Sequence, residues 1–260
     1  MRKNPRPTVK RNKTPFAERL RRGDLLLGTL VSLPSPEVSE ILAHAGIDWL
    51  FIDAEHGAFN PQQAQGMLQA AGECPCVIRV PSDDEVWIKK ALDIGAAGII
   101  VPQVHTADQA QQIVRACKYS PAGTRGVGIG RAHRYGMEFE HYIKNANRQT
   151  AIIVQAESKQ AVDNIVAIAA VKGVDAIFIG PYDLSASLNR IGRVTDPKVI
   201  RAIDRVIKAC KATGVRLGYF GVSAEAVKPC IRKGFTLITA GMDALFVTKS
   251  ATEMLASLRS

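Results

Sequence analysis

Two carboxylates, Glu157 and Asp183, each close a short apolar run. The first run is Ala151-Ile-Ile-Val-Gln-Ala-Glu157 and the second is Val174-Asp-Ala-Ile-Phe-Ile-Gly-Pro-Tyr-Asp183. A third, Asp48-Trp-Leu-Phe-Ile-Asp-Ala-Glu-His56, ends in an imidazole, and a fourth, Val77-Ile-Arg79, ends in a guanidinium. Continuous apolar runs of this length read as buried parallel strands. Polar side chains at the carboxyl ends of such strands are where α/β barrels do their chemistry. Two carboxylates supply two oxygen ligands and leave most of an octahedron to water and substrate, which suits a hard divalent cation such as Mg²⁺ or Mn²⁺. A pair of structural carboxylates capping helix N-termini is the competing reading. An imidazole titrates near neutral pH, so His56 is a candidate general base, and Asp93 is a candidate to hold it in one tautomer. Asp53 and Glu55 crowd beside His56 and are candidates to support these groups from behind. Arg79 suits a carboxylate or a developing enolate oxygen, or simply an ion pair with a rim carboxylate. His105 also follows a strand and is a weaker candidate, while His44 falls inside a helix and His133 and His141 lie in an insertion.

The elements that must position these groups alternate along the chain. Strands are expected at Leu25–Ser32, Trp49–Glu55, Val77–Val80, Gly98–Gln103, Ala151–Gln155, Ala176–Ile179, Arg216–Tyr219 and Leu237–Ala240. Helical patterns fall between them at Ser35–Ala45, Gln62–Ala71, Asp84–Ile94, Ala107–Cys117, Lys159–Ala169, Pro197–Ala212 and Ser223–Lys233, with a last one at Thr248–Leu258. Pro36 and Pro61 stand at helix starts, and Gly46, Gly95, Gly214 and Gly234 just past helix ends, which is the expected asymmetry. Eight alternations predict a single (β/α)₈ TIM barrel over residues 23–260. Tyr119–Gln149 is a long insertion between the fourth and fifth strands, and long loops inside a compact barrel are usually functional. Its stretch Gly123-Thr-Arg-Gly-Val-Gly-Ile-Gly130 could wrap an anion with backbone N–H groups, although it lacks the Lys-Ser/Thr ending of a phosphate-binding P-loop.

The net charge of +10 is concentrated at one end. Residues 1–22 hold nine Lys or Arg and one Glu, a net of +8, which leaves +2 for the other 238 residues. Composition therefore sets residues 1–22 apart as a basic, mobile extension. Without interleaved aromatics it argues for a solvated arm rather than a nucleic-acid-binding one. The five cysteines are odd in number and irregular in spacing, so buried free thiols are expected rather than a zinc site or a disulfide framework. No apolar stretch reaches the roughly 18 residues of a membrane span, and no secretory h-region follows the basic start; both point to a cytoplasmic protein with no membrane partner.

Leu50-Phe-Ile-Asp-Ala-Glu-His56, Val77-Ile-Arg-Val-Pro81, Ser120-Pro-Ala-Gly-Thr-Arg-Gly-Val-Gly128, Val154-Gln-Ala-Glu157 and Phe178-Ile-Gly-Pro-Tyr-Asp-Leu-Ser185 together resemble the HpcH/HpaI aldolases, class II pyruvate aldolases that depend on a metal. The likeness runs from about Gly23 to the C-terminus. It implies reversible cleavage of a 4-hydroxy-2-oxo acid, either a 2-keto-3-deoxy sugar acid or a dioic acid, to pyruvate and an aldehyde. By motif it makes Glu157 and Asp183 the ligands of Mg²⁺, Mn²⁺ or Co²⁺. It places Gln155 and the backbone N–H groups of Tyr182 and Asp183 on the 2-oxo acid. It makes His56, with Asp93 behind it, the proton carrier, and Arg79 the stabiliser of the enolate. It further implies a last helix exchanged between subunits and a hexamer built from dimers. Tyr182 departs from the pattern, standing where a small residue is expected, and bears on aldehyde choice together with Gly130–Gly136 and Tyr219–Val222. Two alternatives remain: a CoA-thioester lyase like citrate lyase β chains, for which no nucleotide motif is evident, and a non-enzymatic barrel binding acidic partners or nucleic acid through its basic arm.

Overall fold

The computed structural model describes residues 14–260. Eight parallel strands close into a barrel in chain order: β1 (Leu26–Val31), β2 (Trp49–Asp53), β3 (Cys76–Arg79), β4 (Gly98–Val101), β5 (Ala151–Ala156), β6 (Ala176–Ile179), β7 (Arg216–Gly221) and β8 (Leu237–Met242). The first pairs with the last through Leu26–Leu237 and Leu27–Ile238, so the sheet has no free edge. All eight strands lie within a few residues of their expected positions.

Alternation along each strand divides the core in two. One face of the strands meets the surrounding helices in a large apolar cluster. The other face fills the barrel with Leu26, Leu30, Trp49, Phe51, Val77, Ile100, Ala151, Ile153, Ala176, Phe178 and Leu237. Large rings need small neighbours here. A Cβ on Gly28 would come within 2.5 Å of the Trp49 ring, and one on Gly218 within 2.4 Å of Phe178. Continuing the same inward parity by one more step brings Asp53, Arg79 and Gln155 to the top of this stack, because side chains two apart on a strand share a face.

The other end of the barrel is closed by a helix that composition had assigned to the extension. Phe16–Arg22 is helical, and Phe16, Ala17 and Leu20 are buried against Trp49 and the barrel interior. Its cations are engaged: Arg19 with Asp48, Arg21 with Asp175 and Arg22 with Asp24. The described part of residues 1–22 is therefore integral to the barrel. Its short apolar face was hidden by the basic residues around it. The more N-terminal part of the expected extension, residues 1–13, lies outside the described residues.

The helices between strands follow their caps. Ser35, Asn60, Asp84, Thr106, Ser158 and Ser223 each accept a backbone N–H at a helix start. The expected helix Lys159–Ala169 is split at Asn164, whose side chain donates to the His105 carbonyl (2.8 Å) and whose backbone leaves the helical region. A short helix, Pro181–Ser187, follows β6 directly and was not anticipated. The insertion holds the helix Phe139–Gln149. The last helix, Asp243–Arg259, begins earlier than expected; Asp243 anchors its first turn to Ser32 and Leu33, but beyond it Leu245, Phe246, Val247, Met254, Leu255 and Leu258 are all exposed. The five cysteines are free, all but Cys230 fully buried, and burial pushes the Cys117 thiol up to about 12. No helix among the described residues is long and apolar enough to cross a membrane.

Candidate active site

A cavity of about 460 Å³ opens at the carboxyl ends of the strands, lined among others by Asp53, His56, Arg79, Gln155, Tyr182 and Asp183. A larger one, about 550 Å³, lies at the opposite end beside Phe16, Cys76 and Tyr142, but brings no pair of carboxylates together.

Asp53, the last residue of β2, organises the upper cavity. It is 3% exposed, and its two oxygens take the Arg79 guanidinium in a fork at 2.8 and 2.7 Å. Its Oδ1 also accepts the backbone N–H groups of Glu55 and His56, which shapes the turn carrying the imidazole. Glu55 adds a second carboxylate, 3.1 Å from Arg79 Nε. The guanidinium thus makes the rim ion pair of one sequence reading, and it also lines the cavity. Desolvation opposes its charge, but Asp53 and Glu55 outweigh that and hold it protonated.

Glu157 follows β5 and is 2% exposed. Its Oε1 accepts the Gln103 N–H at 2.8 Å, and its Oε2 accepts Gln155 Nε2. No cation pairs with it among the described residues. Burial pushes its carboxyl up to about 7; the charges of Asp183 and Glu55 add to the rise, and the bonds from Gln103 and Gln155 oppose it. Asp183, on the first turn of Pro181–Ser187, is exposed and has no hydrogen-bond or ion-pair partner among the described residues. The N–H groups of Tyr182 and Asp183 are likewise unpaired, as expected for a first helical turn. Gly180 lets this turn approach: a Cβ there would stand 2.7 Å from Glu157 Oε2 and 2.8 Å from Gln155 Nε2.

These features fit a divalent cation. Two carboxylates repel across a site where one is buried and, among the described residues, without an ion-pair partner, and Gln155 leaves its Oε1 buried with no hydrogen bond. Among the described residues no three His, Cys, Asp or Glu side chains gather to form a complete set of protein ligands. Two carboxylates suit an ion that keeps waters and accepts substrate oxygens, and do not suit structural zinc.

Other expected residues part company. His56 is two-thirds exposed at the mouth, and its Nε2 lies 3.8 Å from Glu55. Asp93 does not meet it. Asp93 ends the helix Glu85–Asp93, which runs back toward the strand starts, and its carboxylate is taken by Arg125 at 2.7 Å. Arg125 in turn lies on the rings of Tyr119 and Tyr142. The glycine-rich loop commits part of its backbone to the fold. Its Thr124 and Arg125 N–H groups donate to the Arg115 and Lys118 carbonyls, and it lies against the end of the Asp93 helix. His133 is buried and holds the loop through both ring nitrogens, and His105 bonds Ser158. The sequence reading missed Leu30 and Met242, which also line the cavity and whose inward parity on β1 and β8 was the available signal; Phe220, which lines it too, falls in the Tyr219–Val222 stretch singled out for aldehyde choice.

Comparison with known proteins finds relatives over nearly the whole chain. The chain is 38% identical over 250 residues to a 2-keto-3-deoxy-L-rhamnonate aldolase of Escherichia coli, covering 95% of this chain and 93% of that protein. It superposes on a HpcH/HpaI aldolase/citrate lyase family protein from Burkholderia cenocepacia J2315 with a TM-score of 0.90 at 38% identity, covering 94% and 98% of the two chains. A citrate lyase β subunit from Mycobacterium tuberculosis, at 17% identity and a TM-score of 0.55 over 85% of this chain and 93% of that one, shares the fold alone. A model of the HpcH/HpaI aldolase/citrate lyase family matches residues 27–250, and the chain belongs to that family.

Proposed function

We propose that the protein is a metal-dependent aldolase that cleaves a 4-hydroxy-2-oxo acid reversibly to pyruvate and an aldehyde. The observation that carries this reading is the Glu157 carboxylate, buried with no ion-pair partner among the described residues, within electrostatic reach of Asp183 and bonded to Gln155, which lines the same cavity as Arg79 and Asp183. Glu157 and Asp183 would hold Mg²⁺, Mn²⁺ or Co²⁺. When bound, such an ion supplies Lewis-acid stabilisation of the charge that develops on the 2-oxo oxygen.

The chain's own groups do the rest. Gln155 and the unpaired N–H groups of Tyr182 and Asp183 orient the oxo acid. His56 accepts the proton of the C4 hydroxyl as the C3–C4 bond breaks; the bond electrons pass to C3 and the 2-oxo oxygen, and the aldehyde departs. Returning that proton to C3 of the pyruvate enolate completes the cycle. Arg79, fixed by Asp53, adds a preorganised positive charge on the side where the enolate forms. The role expected of Asp93 is not assigned within one chain, because its carboxylate is held by Arg125 at the end of the helix Glu85–Asp93 while His56 stands on the turn after β2.

The exposed apolar face of Asp243–Arg259 supports a homo-oligomer in which this helix crosses to a neighbouring subunit, within a hexamer built from dimers. The measured mass in solution, with and without residues 243–260, tests that part. For the activity, pyruvate release is followed with 4-hydroxy-2-oxo acids before and after dialysis against a chelator. Loss on chelation and recovery with a divalent ion is expected; full activity after chelation overturns the reading. Inhibition by acetyl-CoA in the same assay would favour the CoA-thioester alternative.

A further inference from the structure

The cavity is built by two unlike arcs of the barrel. Strands β2, β3, β5 and β6, with the loops after them, bring Asp53, Arg79, Gln155 and Asp183 above the rings of Phe51 and Phe178, which line the cavity one inward step lower on β2 and two residues before Gly180 on β6. Strands β7, β8 and β1 bring Phe220, Met242 and Leu30, and the Tyr182 ring lies 6.5 Å from Phe220, extending the apolar wall to the mouth. Polar groups on this second arc are already engaged. Ser32 donates its hydroxyl to Asp243 at 2.9 Å, and the buried Asp243 carboxylate also takes the N–H groups of Ser32, Leu33 and Ala244. The one guanidinium among the lining residues, Arg79, is shared by Asp53 and Glu55. The Tyr182 hydroxyl alone has no partner among the described residues of that wall.

From this we infer that the aldehyde half of the substrate is apolar, an alkyl or aryl aldehyde, with Tyr182, Phe220, Met242 and Leu30 as its determinants. The inference rests on the aldolase reading and narrows it. With the oxo-acid end among Glu157, Asp183 and Gln155, the remainder of the molecule extends over the second arc. A carboxylate there meets no unpaired cation among the described residues, and a run of hydroxyls meets one phenol. Burying such groups unpaired is costly, whereas methylene and ring carbons gain from leaving water. A dioic acid is thereby disfavoured, and so is a long polyhydroxy chain.

The test is condensation of pyruvate by the full chain with Mn²⁺ present. It compares kcat/KM for hexanal and benzaldehyde with that for glyceraldehyde and succinic semialdehyde. Exchange of the pyruvate methyl protons in D₂O, which needs no aldehyde, is recorded alongside. The apolar aldehydes should lead by roughly tenfold or more, and Phe220→Ala should shrink that lead by a similar factor after normalising to the exchange rate. Phe220→Leu, which keeps most of the volume, should shrink it less and guards against a folding defect. Exchange together with equal or faster use of succinic semialdehyde or glyceraldehyde overturns the inference while leaving the aldolase reading intact. A lead that neither Phe220 variant alters overturns the assignment to this wall. Neither exchange nor condensation with any aldehyde or divalent ion removes the aldolase reading, and the inference with it.

Discussion

The two ends of this barrel follow opposite rules. Where the strands begin, the helix Phe16–Arg22 presses Phe16, Ala17 and Leu20 onto Trp49 and gives Arg19 and Arg21 carboxylates of their own. Where the strands finish, among the described residues, Glu157 is buried without an ion-pair partner, Asp183 is unpaired, and Gln155 keeps an orphaned oxygen. At the first end the charges are paired, and at the second a buried charge is held without an ion pair by the rest of the fold. Stability is concentrated at the first, and readiness for a ligand at the second.

Substitutions should separate the two. Glu157→Gln should cut kcat by about a thousandfold, equivalent to about 4 kcal/mol, by removing a ligand and its charge. In the ion-free protein at alkaline pH the same change should leave Tm unchanged or raise it, since a strained buried charge is lost. Steady-state kinetics with calorimetry checks both, and a fall in Tm as large as the loss in activity would collapse the distinction. Phe16→Ala should do the converse, costing about 3–5 kcal/mol in urea denaturation with KM unaltered in the folded fraction. Deleting residues 1–13 sharpens this, because a loss comparable to Phe16→Ala would mean that the closing unit extends beyond the described helix.

The pH dependence of stability should also betray the second end. Burial lifts the Glu157 carboxyl from 4.5 to about 7 in the folded state. Between these values the native protein retains a proton that the unfolded chain has released. Its contribution is therefore complete below the lower value and disappears as pH rises through the upper one, a loss of up to about 3 kcal/mol without a bound ion. Adding Mg²⁺ or Mn²⁺ should flatten that slope, as denaturation midpoints across about pH 4 to 8 will show. The smallest effect is expected at Asp53→Asn. It weakens the fork on Arg79 but leaves Glu55 in place, so kcat should fall about tenfold with little change in Tm.

How much of this was legible in the sequence depended on range. The eight strands could be read because each is a local apolar run bounded by a polar cluster. The helix caps at Ser35, Asn60 and Thr106 are equally local. The helix Phe16–Arg22 escaped because three apolar residues in one short turn-and-a-half are a faint signal beside nine cations. Pro181–Ser187 escaped for its brevity, and the break at Asn164 because its cause is a bond to His105, 59 positions away.

Sequence alone determined the alternation of strand and helix, and with it the rim on which Glu157, Asp183, Gln155, Arg79 and His56 stand, because period and punctuation are properties of neighbouring residues. Tertiary structure alone decided which groups meet. It gave Arg79 to Asp53 and Asp93 to Arg125, separated Asp93 from His56, and set Tyr182 against Phe220. These pairings join positions dozens of residues apart, so strand order and register decide them, and no local preference encodes them.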